Sequence, residues 1–336
     1  MMNFYKILFF TTMMLGTLIA VASYSWLSMW IGLEINLLSI IPLLKSQKSL
    51  FPTEAILKYF ITQALASTIL MFSIIVNMNL ESLLSFSAPW SMIIMNSALL
   101  TKMGAAPFHT WFPEVMEGLN WSNSILMLTW QKIAPMILFS YNLQMTSFIS
   151  FVIVSSTIVS GILGLNQISL RKIMAYSSIN HIGWMIASML SMKMTWVSYF
   201  LIYSAISLNI IIFFMYFNVF TMKQLFMCLS MDKFTKLLFS LNFLSLGGLP
   251  PFLGFFPKWL VISKLVENNF ISISVILIIF TLITLFFYLR LMFPSLTLAS
   301  SESITIPQQT IPFLIICCNS VTLLGLFICT LTFNLF

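Results

Sequence analysis

An all-α, polytopic transmembrane bundle of about eleven helices is the fold class this sequence predicts, and three observations predict it. Of 336 residues, 60% are hydrophobic and only 7% charged, against roughly 25% charged in an ordinary soluble domain. Mean hydropathy is +1.03, so water-facing side chains cannot cover the chain. Apolar windows of about 20 residues, the length that crosses a hydrocarbon core, recur from end to end with short connections. Backbone groups in lipid find no water, and helices satisfy them within each segment; barrel strands would instead show about ten residues of alternating pattern.

The windows fall at 4–22, 24–44, 55–77, 90–112, 122–141, 147–166, 173–191, 196–219, 236–268, 270–293 and 312–333. The first has Lys6 ahead of its apolar run and small residues at Ala20 and Ala22, as a signal peptide would. Further spans follow at once, so it reads as a membrane helix that is retained. One membrane domain of 1–336 is expected. Helices one to five (1–145) and six to ten (146–293) form its two units, and 294–336 supplies a loop and the eleventh helix.

Basic residues set the orientation. Lys6, Lys45, Lys48, Arg171, Lys172, Lys223, Lys233 and Lys236 fall at the N-terminus or in connections after even-numbered helices, whereas Lys193 and Lys264 are nearly all that follow odd-numbered ones. The N-terminus is expected on the positive-inside face and the C-terminus opposite. The connection after the fourth helix, with Glu114 and Glu117, is the exception to the bias.

The ninth window is too long for one span, because an unbroken helix of that length would reach about 50 Å against a core of about 30 Å. Its sequence "LSLGGLPPFLGFFPKW", Leu244 to Trp259, holds Gly247, Gly248, Pro250, Pro251, Gly254 and Pro257. Proline removes a backbone donor and clashes with the preceding turn, so two half-helices are expected. The fourth window shows the same design in "TKMGAAP", Thr101 to Pro107, again beside a lysine. Both interruptions then lie in the fourth helix of their unit, the pattern of an internal repeat. An odd helix number per unit makes the repeat inverted, and paired broken helices point to a transport site, since unwound backbone is tolerated where it lines a polar cavity.

Glu34 lies midway along the second window, roughly 15 Å from either surface by helical rise. Lys132 is as deep in the fifth, and Lys102 about a dozen residues, roughly 18 Å, beyond Trp90 in the fourth. These depths exceed comfortable snorkelling. At roughly 2.5 to 3.5 kcal/mol each, they and Lys258 would together cost on the order of 10 kcal/mol if left bare. Pairing, hydration or neutrality must offset that. Desolvation works against the charged form of such a group, so a modest change of field can move a proton on or off it. Static ion pairs tying helices together, Glu34 with Lys102 for example, are the competing reading; three lysines against one glutamate cannot all be neutralised that way.

In the seventh window, Ser177, Ser178 and His181 share a helical face, and an imidazole titrates near neutrality. Core packing and a relay role are both open for His181. His109 lies past the first break and reads as structural. Tyr199, Tyr203 and Ser207, and likewise Thr62, Gln63 and Ser67, form polar stripes suited first to interhelical hydrogen bonds and second to lining water. Arg290 reads as an interfacial anchor. Cys228, Cys317, Cys318 and Cys329 show no metal-site or disulfide spacing, and no run of charge suits nucleic acid. No phosphate loop, nucleophile triad or dinucleotide fingerprint occurs.

Four stretches, "WIGLEINLLSIIP" (30–42), "LLTKMGAAPFHTWFPEV" (99–115), "AYSSINHIGWM" (175–185) and "GGLPPFLGFFPKW" (247–259), resemble the antiporter-like membrane subunits of the proton-pumping NADH:ubiquinone oxidoreductase, respiratory complex I. The resemblance covers essentially the whole chain, and its eleven-helix length is similar to the animal mitochondrial members. It implies two inverted five-helix repeats with discontinuous helices, in a multi-pass subunit of the mitochondrial inner membrane whose N-terminus faces the matrix. It further implies that Glu34, Lys102, Lys132 and Lys258 form a hydrated axis for proton translocation, with His181 linking the halves. NADH, FMN, iron-sulfur clusters and ubiquinone would be bound by other subunits. Expected partners are the lipid bilayer and the other membrane-arm subunits of a hetero-oligomer, the small chain 4L and the antiporter-like chain 4 among them. Two other readings use the same features: a stand-alone cation/proton antiporter, and a structural spacer whose buried charges only lock helices.

Overall fold

The structure is a computed structural model, and it describes residues 4–45, 51–83, 89–229, 233–250 and 252–297, together with 319, 320 and 325. Lys48, Pro251, Cys317, Cys318, Cys329 and nearly all of the expected eleventh helix lie outside the described residues. Among the described residues the regular elements are all helical; the sole extended feature is an isolated bridge between Ser169 and Thr221.

The first ten windows each coincide with a helix or a pair of helices. In chain order these are α1 (Phe4–Ala22), α2 (Trp26–Leu44), α3 (Phe51–Leu83), α4 (Pro89–Met103), α5 (Trp111–Gly118), α6 (Trp121–Leu128) and α7 (Trp130–Tyr141). They continue with α8 (Thr146–Leu165), α9 (Leu170–Ser191), α10 (Lys193–Phe217), α11 (Met222–Leu229), α12 (Lys233–Gly247), α13 (Phe255–Glu267) and α14 (Ile271–Thr297). Among the described residues six helices, α1, α2, α3, α8, α10 and α14, are long and apolar enough by length and composition to cross a membrane. Large apolar side chains such as Leu18, Leu38, Leu65, Leu201, Leu282 and Phe286 stand on the outside, as a lipid solvent permits.

The chain divides into two compact units, Met1–Ser155 and Ser156–Phe336. In the first, α1 packs along α2, α3 lies against α2, α4 and α5, and α7 packs on α4 and α1. In the second, α9 is sandwiched by α10 and α13, and α12 packs on α10 and α14; residues 173–189 of α9 are all buried.

Two expectations are corrected. The fifth window is not one helix, because α6 and α7 part at Thr129. Pro135 has no N–H for the Gln131 carbonyl and crowds it. The hydrogen bonding tightens locally, with Lys132 N–H donating to Thr129 O at 3.3 Å, and the Thr129 hydroxyl donates back to Ile125 O at 2.7 Å. Glu114 and Glu117 lie on the short helix α5 and not in a loop. Glu114 stands in its first turn, where a carboxylate complements the helix dipole, and pairs with Lys58 of α3 at 2.6 Å.

Candidate functional site

Both expected breaks are present, and the same device makes them. At the end of α4, Gly104 takes a φ of 75°; its N–H donates to Thr101 O at 3.2 Å and that of Ala105 to Leu100 O at 3.1 Å. At the end of α12, Gly248 also has a φ of 75°; its N–H donates to Ser245 O at 3.0 Å and that of Leu249 to Leu244 O at 3.3 Å. This paired pattern is the Schellman cap. It satisfies two carbonyls of the last turn and leaves the next two free.

In the first unit Lys102 stands in the last turn of α4, 7% exposed, where a cation meets the negative end of the helix dipole. It borders a small cavity whose polar lining also includes Asn36, Tyr59, Gln63 and Gln131. Gln131 Nε2 donates to Asn36 Oδ1 at 2.7 Å, and the Tyr59 hydroxyl donates to Gln131 Oε1 at 3.5 Å. Three helices are thereby joined around the lysine.

No direct ion pair joins Glu34 to Lys102 among the described residues. The static-pair reading fails for these two. Instead Ser67 of α3 donates to Glu34 Oε1 at 2.9 Å, while Oε2 is buried without a hydrogen-bond partner. Lys132, in the first turn of α7 and 1% exposed, has its Nζ 5.7 Å from the centre of the Phe112 ring, within cation–π range. His109 Nδ1 lies 3.3 Å from Pro107 O, beside the break itself.

In the second unit Lys258 is the fourth residue of α13 and 7% exposed. Its ammonium reaches back to the end of α12, donating to Gly247 O at 2.8 Å and Leu246 O at 3.4 Å. Those are the two carbonyls the Schellman cap leaves free. The Trp184 ring lies 5.8 Å from Lys258 Nζ.

Trp184 connects this seat to His181, one turn earlier on α9, through Tyr199: the Trp184 and Tyr199 rings stack at 6.5 Å, and the Tyr199 hydroxyl lies 2.9 Å from His181 Nδ1. The Tyr203 ring packs 4.9 Å from the imidazole. His181, Tyr199 and Tyr203 border a small cavity with Ser245. Ser177 and Ser178 donate to Met174 O and Ala175 O of their own helix at 2.8 and 2.7 Å. Arg290 also differs from a freely snorkelling anchor, since its guanidinium donates to Leu165 O at the end of α8.

Of the neutral groups at these sites, Gln63, Ser67, Tyr199 and Tyr203 fall on the polar stripes legible in the sequence. Asn36, Tyr59, Gln131 and Trp184 are not among them, although Asn36 is two residues from Glu34 and Gln131 is next to Lys132. Amides in the middle of apolar windows were the available signal.

The transmembrane family described as NADH:quinone oxidoreductase/Mrp antiporter matches residues 23–284. NADH-ubiquinone oxidoreductase chain 2 of Anopheles gambiae is 51% identical over 84% of this chain and 84% of its own length. That of Aedes aegypti is 47% identical over 97% of each, and that of Ovis aries 39% identical over 86% of this chain and 87% of its own. In fold, the chain is similar to one in respiratory complex I from Thermus thermophilus, with a TM-score of 0.85 at 21% identity over 98% of this chain and 79% of that one. A chain of the Mrp complex from Dietzia sp. gives 0.75 at 13% identity over 96% and 75%. Matched across most of its length by the family and by these relatives, the chain belongs to the NADH:quinone oxidoreductase/Mrp antiporter transmembrane family, within its NADH-ubiquinone oxidoreductase chain 2 branch.

Proposed function

We propose that this chain, as a core membrane subunit of NADH:ubiquinone oxidoreductase, moves protons across the membrane through Glu34, Lys102, Lys132, His181 and Lys258 when quinone reduction elsewhere in the complex alters the local field. Lys102, Lys132 and Lys258 are the carriers in this reading. Glu34 acts on Lys102 through space and His181 serves between the halves. The observation that carries it is the coincidence at each break of a buried lysine with a helix stopped by the same cap. Burying a cation is expensive in lipid, and a gap in a helix supplies the polar groups and access to water that lower the cost.

In this reading 1–145 and 146–293 are inverted repeats, and 294–336 adds the last helix. The chain lies in the mitochondrial inner membrane with its N-terminus on the matrix side and its C-terminus on the intermembrane-space side. Chains 4L and 4 are its neighbours. NADH, FMN, iron-sulfur clusters and ubiquinone sit on other subunits, leaving this chain to proton transfer.

The test is Lys102→Met in the assembled complex, with protons moved per NADH oxidised measured in sealed vesicles. A large fall or complete loss is expected, while a native yield would remove Lys102 from the relay. The likeness in fold to a chain of an Mrp complex keeps a stand-alone cation/proton antiporter as the second reading. Purified alone in vesicles, a free-standing transporter would exchange ions; a complex subunit would not.

A further inference from the structure

Gln63 of α3 is 4% exposed, and its Nε2 is buried without a hydrogen-bond partner. It borders the same cavity as Lys102, so two groups that can donate open onto one space. Lysine offers three N–H donors and no acceptor. The neighbouring amides Gln131 and Asn36 are already bonded to each other. A buried donor left bare is penalised, and in folded proteins such groups bond to ordered water where protein offers nothing.

The missing partner must therefore be an acceptor oxygen reachable from both sides. Water has the right valence, because two lone pairs accept from Gln63 and Lys102 and two hydrogens remain to donate. Acceptors stand ready for those hydrogens. Asn36 lines the cavity, and Glu34, just beyond its lining, is held by Ser67 one turn after Gln63 on α3, with its Oε2 buried and without a hydrogen-bond partner. The cavity leaves about 20 Å³ free for a water's centre, against the roughly 10–15 Å³ that one water needs.

We propose that Gln63 is a positioning residue that anchors, through its Nε2–H, a water hydrogen-bonded to the Lys102 ammonium and oriented toward Glu34. The amide itself takes no proton. It holds the oxygen where a proton leaving Lys102 is received and turns the water's hydrogens toward the carboxylate. This deepens the proposed function and rests on it.

The experiment is a density map of the assembled complex at a resolution that shows ordered water, together with three variants assayed for proton-coupled turnover. Density within about 3 Å of Gln63 Nε2, at hydrogen-bonding distance, is expected, and its absence would overturn the proposal. Gln63→Met keeps the volume and removes the donor; coupled turnover should slow about 2- to 10-fold, the span of one lost hydrogen bond. Gln63→Asn, which retains an amide at the cavity wall, should recover most of that loss. A native rate in Gln63→Met, or a Gln63→Asn rate as low as that of Gln63→Met, would assign Gln63 a packing role only. If Gln63→Met fails to assemble, the native map decides alone. Lys102→Met, run beside them, separates the two failures. If its proton yield is native, the relay reading itself falls; if it is lost while Gln63→Met is unaffected, only the anchored water falls.

Discussion

The two broken helices carry their lysines on opposite sides of the gap. Lys102 belongs to the half-helix that ends, α4, whereas Lys258 belongs to the half-helix that begins, α13. Near the start of α13 the dipole disfavours a cation, and the Lys258 side chain turns back to the free carbonyls of α12. Lys102 already sits at the carbonyl end of its own helix and faces a polar cavity. What the two sites share is a capped helix C-terminus beside a buried ammonium. Position in the local sequence is not the common element.

The difference shows in the glycines. A Cβ at Gly248 would lie 2.7 Å from Lys258 Cδ, while one at Gly104 would lie 3.1 Å from Phe112 Cβ. Both substitutions also force alanine into the left-handed region, at about 1–2 kcal/mol. The Lys258 chain is flexible and can move aside, so Gly248→Ala should displace the ammonium from its seat and lower proton yield more than Gly104→Ala, with a similar loss of stability at the two sites. Thermal unfolding of the purified complex and its proton yield check this. Equal proton yields from the two variants would break the comparison.

A smaller effect is expected from Tyr199→Phe. It removes the hydroxyl bonded to His181 Nδ1 and should cost about 0.5–1.5 kcal/mol, read as coupled turnover slowed by about 2- to 10-fold. An unchanged rate would show that this hydroxyl does not hold the imidazole in a working position. The smallest effect is expected from Lys58→Met. The Lys58–Glu114 pair is about half exposed, at 54% and 55%, and exposed pairs are screened and add little. Proton yield and unfolding temperature should stay at native values.

How much of this was legible beforehand follows from the range of each cause. Gly104, Gly248 and Pro257 act on the backbone within a turn, so the breaks could be read from short strings, and the depth of Glu34, Lys102 and Lys132 follows from counting along their windows. The Tyr59–Gln131–Asn36 chain draws on three helices far apart in sequence, which no local spacing encodes. The seat of Lys258 is built from backbone carbonyls, and these carry no side-chain signature. Pro135 did announce the break at Thr129, but a proline inside an apolar window is also compatible with a continuous kinked helix. The helix α11, Met222–Leu229, is too short to register as a span.

In the proposed function the lysines at the breaks release and take up protons, beyond supplying fixed charge. Lys102→Arg tests it most directly, since guanidinium keeps the positive charge but does not deprotonate in proteins. In the assembled complex, proton yield per NADH oxidised is predicted to fall as far as in Lys102→Met. A native yield with arginine in place would contradict the account.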